Sequence, residues 1–84
     1  MSYAVDFTKS AARAYRKLPQ ETRERIIAAL ERSRIRPEQH FEKLVGSDAY
    51  KLRVGSYRII ADITHEQLLI LVLKLDHRKK IYKR

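Results

Sequence analysis

The stretch YKLRVGSYR, residues 50–58, decides the fold. Gly-Ser between two runs of alternating apolar and polar residues is a two-residue hairpin loop with Gly at its first central position. Such a loop fixes the register: Val54 pairs with Tyr57, Arg53 with Arg58, and Leu52 with Ile59. Side chains alternate across a strand, so Lys51, Arg53 and Arg58 share one face while Leu52, Val54, Tyr57 and Ile59 share the other. Two like charges directly opposite one another cost about 0.2–1 kcal/mol. Either the long side chains splay into water or an anion relieves the repulsion. The pair marks the hairpin as a candidate site.

Downstream of the hairpin, residues 57–63 continue as a strand, and residues 68–75, LLILVLKL, form the most apolar strand of the chain. A loop at 64–67 joins them, and pairing Ile63 with Leu68 places Arg58 opposite Leu73. Upstream, SYAVDF at residues 2–7 alternates with Tyr3, Val5 and Phe7 on one face and predicts a first strand. Thr8 is an N-cap for a helix to about Lys17, with Ala11, Tyr15 and Leu18 on its inner stripe. Pro19 restarts the chain as the first residue of a second helix, to about Arg34, with Ile26, Ile27 and Leu30 inward and Glu21/Arg25 outward. Ile35-Arg36-Pro37 ends it, because the residue before proline avoids helical dihedrals. Residues 37–49 are irregular, with Gly46, Ser47 and Asp48 as turn residues.

The order β-α-α-β-β-β predicts an α+β fold: a small antiparallel sheet of about four strands with an N-terminal helical hairpin packed on one face. Residues 1–84 read as a single domain without linker or repeat. The face opposite the helices holds Lys51, Arg53 and Arg58, followed by Ile60, Leu69, Leu71 and Leu73. That face is apolar beyond its cations, so either a partner covers it or residues 37–49 and the C-terminal tail fold over it.

The 84 residues carry 19 Lys and Arg against 10 Asp and Glu, a net charge of +9. Residues 1–49 hold ten basic and seven acidic side chains and residues 50–84 nine and three, so the excess lies with the hairpin. This balance points to an anionic partner, either nucleic acid or an acidic protein segment. No cysteine is present. The first ten residues lack the order of a secretion signal and no apolar run reaches the roughly 20 residues of a membrane span, so a soluble cytoplasmic protein is expected.

Metal chemistry is poorly supported, since His40, His65 and His77 are far apart and no spaced ligand motif surrounds them. With Gly46 and Gly55 the only glycines, there is no phosphate-cradling loop, and no cofactor is expected. RNA cleavage needs less equipment, because the ribose 2′-OH is itself the nucleophile. The protein must orient it, take its proton, neutralise the phosphorane and assist the leaving 5′ oxygen. Lysine and arginine on a rigid sheet suit the charge term. The tail HRKKIYKR, residues 77–84, follows the last strand and can emerge beside the hairpin. It would add His77 as a titratable group, Arg78 as a cation and Tyr82 as an aromatic hydroxyl able to stack on a base, with Lys79, Lys80, Lys83 and Arg84 as further RNA-binding charge.

YKLRVGSYRIIADI, the apolar strand after it and then HRKKIY resemble the RelE/ParE toxin superfamily, whose members show an arginine-bearing hairpin of this kind and a C-terminal His-Arg-x-x-x-Tyr. The N-terminal strand and the helical pair bearing KLP follow the same pattern, so the resemblance covers nearly the whole chain. It implies a toxin of a type II toxin-antitoxin system in the RelE branch, wrapped by an antitoxin and cutting mRNA in the ribosomal A site to leave a cyclic phosphate. Lys51, Arg53 and Arg58 would match the phosphate-contacting cations, Arg78 the arginine assisting the leaving group, and Tyr82 the tyrosine that stacks on the base or aids proton transfer. His77 falls where relatives carry lysine or histidine and would be a general base. Ile60, Leu69, Leu71 and Leu73 would take the antitoxin. Two alternatives stay open: a ParE-like toxin that blocks DNA gyrase without enzymatic activity, and an inactive antitoxin-binding module.

Overall fold

The computed structural model describes residues 2–77. Strand β1 (Ala4–Phe7) leads into helices α1 (Lys9–Arg16) and α2 (Gln20–Arg32). A 3-10 turn at Pro37–Gln39 precedes the short strand β2 (Glu42–Lys43). Strands β3 (Tyr50–Val54), β4 (Tyr57–Thr64) and β5 (Leu69–His77) complete a five-stranded sheet ordered β1-β5-β4-β3-β2. The α+β class and the helical pair on one face are as the sequence predicts. The sheet differs in two respects: β2 is a fifth strand, and β1 lies parallel to β5 while the other pairs are antiparallel.

Thr8 joins the first strand to the first helix. Its Oγ1 accepts from the Ala11 N–H at 3.1 Å, capping α1, while its own N–H donates to the Val72 carbonyl at 3.0 Å. The helix therefore starts at a point already anchored to β5, with Ala11 buried beneath it. In α2 the buried stripe runs through Ile26, Ala29 and Leu30 to Ser33 just beyond its end, the i, i+3, i+4, i+7 spacing of one helical face. Ser33 is tolerated there because its hydroxyl donates to the Ala29 carbonyl at 2.8 Å. Ile27, expected inward, is 38% exposed. It lies one residue, about 100° of rotation, off that stripe.

The hairpin takes the register its loop dictates, with Val54 opposite Tyr57, Arg53 opposite Arg58 and Leu52 opposite Ile59. Gly55 adopts φ +59° and Ser56 does not enter the left-handed region, as a loop with Gly at its first central position requires. The next register is not the expected one. The connection occupies residues 65–68, with Leu68 at φ +52°, so Ile63 faces Ile70 rather than Leu68. A break between Ile60 and Ala61, which face Lys74 and Val72, leaves Leu73 as the extra residue of a bulge. Arg58 consequently faces Asp76, not Leu73.

The core lies between the sheet and the two helices. Ile26, Leu30, Ile59, Ile70 and Val72 are fully buried there, with Tyr3, Val5, Phe7, Tyr50, Val54, Ile63 and Leu75 packed around them. Burying each large aliphatic contributes about 1.5–3 kcal/mol, so this single layer holds the fold. The outer edge of β1 is occupied locally. Tyr3 donates to the Arg34 carbonyl and accepts from Arg34 Nε, both at 2.8 Å, and the Phe7 N–H donates to Asp6 Oδ1 at 2.9 Å. Among the described residues no helix is long and apolar enough to cross a membrane.

Candidate functional site

The sheet face turned away from the helices carries the hairpin cations in two rows. Alternation along β3 and β4 places Lys51, Arg53, Arg58 and Ile60 on this side, and pairing brings β5 residues beside them. One row reads Glu42, Lys51, Ile60, Lys74; the next reads Arg53, Arg58, Asp76. Arg53 and Lys74 are exposed, Lys51 and Arg58 half-buried, and Ile60 buried between the two lysines.

Two carboxylates moderate this positive field. Lys51 Nζ lies 3.8 Å from Glu42 Oε1, and Arg58 Nη2 lies 3.7 Å from Asp76 Oδ2. Both separations are beyond hydrogen-bond length, so the pairs lower the repulsion without saturating the donors. Arg58 Nε is buried and has no hydrogen-bond partner among the described residues. The side chain remains 30% exposed, so it is the terminal nitrogens rather than the buried Nε that can meet a phosphate, which gains more at hydrogen-bond distance than the carboxylate does at 3.7 Å. A shallow depression of about 340 Å³, lined by His40, Glu42, Lys51, Leu52 and Arg53, continues the face toward β2.

The structure brings together three of the expected catalytic residues, Lys51, Arg53 and Arg58. It parts them from His77. His77 faces Tyr57 across β4 and β5, their rings edge to face with centroids 4.7 Å apart, and both line grooves against the helices, on the far side of the sheet from Arg58. Arg78, Lys79, Lys80, Tyr82, Lys83 and Arg84 lie outside the described residues. Leu69 and Leu71 occupy the outer face as expected, half-buried, in the rows of Ala4 and Asp6; Ile60 belongs to the cation rows. Leu73 sits at the bulge, where its carbonyl accepts from Thr8 Oγ1 at 3.4 Å.

Asp76, Lys74 and Glu42 are on this face and were not expected there. Asp76 and Lys74 reach it only because the bulge shifts every residue beyond Leu73 by one, and a bulge leaves no mark in an unbroken apolar run. Glu42 arrives on a two-residue strand too short to show periodicity. His65, one of the dispersed histidines, is engaged elsewhere, its Nδ1 2.6 Å from the Tyr3 hydroxyl.

Comparison with known proteins agrees with this geometry. A family model described as "ParE toxin of type II toxin-antitoxin system, parDE" matches residues 5–82. Toxin RelG of Mycobacterium tuberculosis is 34% identical over the full length of both chains. The mRNA interferase toxin RelE of Escherichia coli is 29% identical, over 95% of this chain and 87% of that protein. The toxin in the crystal structure of the intact E. coli RelBE toxin-antitoxin complex superposes with a TM-score of 0.79 at 28% identity, covering 90% of this chain and 96% of that one. The family match over residues 5–82 and the full-length likeness to RelG, on a helix-backed sheet that carries opposed arginines on its other face, place the chain in the RelE/ParE superfamily: it belongs to the ParE toxin family, as a RelE-type toxin of a type II toxin-antitoxin system.

Proposed function

We propose that this toxin is a ribosome-dependent mRNA endoribonuclease that works without a metal, with residues 1–84 acting as one domain. The observation that carries the reading is the Arg53/Arg58 pair opposed on the sheet face away from the helices, with Lys51 on the same face and the nearest carboxylate, Asp76, beyond hydrogen-bond length from Arg58. The name of the E. coli relative, an mRNA interferase, supports it. In the proposed reaction the ribose 2′-OH gives up its proton to water as its oxygen attacks the adjacent phosphorus, the bond to the 5′ oxygen breaks, and that oxygen takes a proton from water, so that a cyclic phosphate and a 5′ hydroxyl result. Charge accumulates on the equatorial phosphoryl oxygens at the midpoint, and cations preorganised on a rigid sheet lower that barrier more than they stabilise the substrate. Arg58 is assigned to those oxygens, with Arg53 and Lys51 beside it, and Asp76 is the counter-ion that an entering phosphate displaces. Arg78 is assigned to the leaving oxygen and Tyr82 to the base. His77, on the far side of the sheet from Arg58, is given no part in the proton transfer.

The partner in this reading is an antitoxin whose amphipathic, acidic segment covers Leu69 and Leu71 and neutralises the cation rows. The assembly of the similar E. coli toxin in a RelBE complex supports it. Primer extension on an mRNA threaded through purified ribosomes tests the activity: new 5′ ends are expected with the wild-type protein and not with Arg58→Ala. Their absence at every codon with wild type would sink the ribonuclease reading. The ParE description of the matching family model favours one other reading, inhibition of DNA gyrase. Stabilised gyrase cleavage complexes in a supercoiling reaction, without mRNA cutting, would establish it instead.

A further inference from the structure

Several described basic residues of the sheet, of α2 and of the segment just after it stand beside acids. Arg25 lies 3.6 Å from Glu21, Arg34 2.9 Å from Glu31, Lys51 3.8 Å from Glu42 and Arg58 3.7 Å from Asp76. Helix α1 is different. No acidic residue occurs between Asp6 and Glu21, and Lys9, Arg13, Arg16 and Lys17 are all exposed with no ion pair among the described residues. At 100° per residue these four fall within about 100° of the helix circumference. Lys9, Arg13 and Lys17 form a file with a rise of about 6 Å between neighbours. Like charges four residues apart destabilise a helix. The macrodipole favours the cations near the C-terminal end, but it acts against Lys9 in the first turn.

This file borders a groove of about 490 Å³, whose walls include Arg13, Lys17, Leu18, Tyr57, Leu75 and His77. Two cations thus stand beside an aromatic pair with open space between them. Tyr57 and Arg58 are chain neighbours on opposite faces, so the groove begins where the outer cation rows end.

We infer that the α1 cation file and the Tyr57/His77 groove form a second binding track, for single-stranded RNA, on the helix side of the sheet. A file of cations holds the phosphodiester backbone and an aromatic wall stacks an unpaired base, the combination by which proteins hold single strands without reading sequence. An acidic protein segment could use the cations but has no use for the aromatic wall. The track deepens the ribonuclease reading by giving the strand a path beyond the scissile phosphate, yet its test needs no cleavage.

Fluorescence anisotropy of a labelled oligouridylate, titrated with the full-length protein across a range of salt, reads the track directly. Replacing Lys9, Arg13 and Lys17 together by Gln is expected to flatten the log–log salt dependence by about 2 and to weaken binding at low salt about tenfold or more. Tyr57→Leu is expected to weaken binding about fivefold or more at unchanged slope, with Tyr57→Phe restoring it. The Arg53→Gln/Arg58→Gln variant keeps the contribution of the file, so the two sites are separable. Circular dichroism of each variant confirms that it is folded. An unchanged salt slope in the triple variant overturns the inference, and so does poly-glutamate competing with the same dependence on Lys9, Arg13, Lys17 and Tyr57 as the oligouridylate. Failure of mRNA cutting on ribosomes, with these anisotropy results intact, removes the ribonuclease reading and leaves the track standing.

Discussion

On the helix side of the sheet Ile59, Ile70 and Val72 are wholly buried, whereas the same strands present Arg58, Leu71 and Lys74 half or fully exposed on the other side. Only the inner face belongs to the contiguous core cluster; Ile60 is buried on the outer face but stands apart from it. The inner face is packed by two helices and tolerates little change of volume. The outer face holds opposed arginines, ion pairs too long to be strong, and a buried guanidinium nitrogen without a hydrogen-bond partner among the described residues. The fold is secured on one side, which leaves the other free to keep charges that a protein selected for stability alone would discard.

The largest effects should come from the inner face. Leu30→Ala is expected to lower the unfolding free energy by about 2–5 kcal/mol in urea denaturation, a large part of the roughly 5–15 kcal/mol of a small domain. An outer-face truncation of equal cost would break the contrast between the faces. Arg58→Ala is expected to slow single-turnover cutting on ribosomes about 100- to 1,000-fold, as loss of a preorganised donor does, while its far-ultraviolet dichroism stays that of the wild type. Leu71→Ala should cost the free protein less than about 1 kcal/mol, since the side chain is not fully buried, but weaken antitoxin binding by more than about 1 kcal/mol in calorimetry. The smallest effect has the opposite sign. Arg53→Gln removes one of two opposed like charges and is expected to stabilise the free protein by about 0.2–1 kcal/mol in thermal unfolding. A loss of stability there would mean that the opposed arginines are already paired within the chain.

The hairpin register and the cations it aligns were legible in the sequence because a two-residue Gly-Ser loop leaves the backbone almost no choice. Thr8 as a cap and the Ala11, Tyr15, Leu18 stripe were legible for a similar reason, since each is a local rule acting over one or two turns. What could not be read are the features decided by distant parts of the chain. The β4–β5 register depends on a left-handed Leu68 and a bulge at Leu73, neither of which leaves a signature in a run of leucines and isoleucines. The parallel seating of β1 beside β5 depends on where the helical pair returns the chain. Ile27 falls outside the buried stripe because a helix rich in isoleucine and alanine permits more than one inner stripe, and tertiary packing selects one of them. The site was therefore half legible: its cations follow from the hairpin, but Asp76 and Lys74 arrive only with the bulge, and His77 leaves the cation face by the same shift.

The edge of β1 adds a restriction on how anything can approach this sheet. Tyr3 has committed both its backbone donor and its acceptor to Arg34, and Phe7 has spent its N–H on the carboxylate of Asp6. A foreign strand laid along β1 would find the ladder closed at both ends, and at the opposite edge β2 offers only two residues. Growth of the sheet by annealing, the route by which exposed edges seed aggregates, is hindered at these positions by single hydrogen bonds already made. For a partner that must bind and later depart, the sheet thus presents mainly the side chains of its faces, whose charges and leucines can be matched and released, and little free backbone edge for an extended peptide to zip onto.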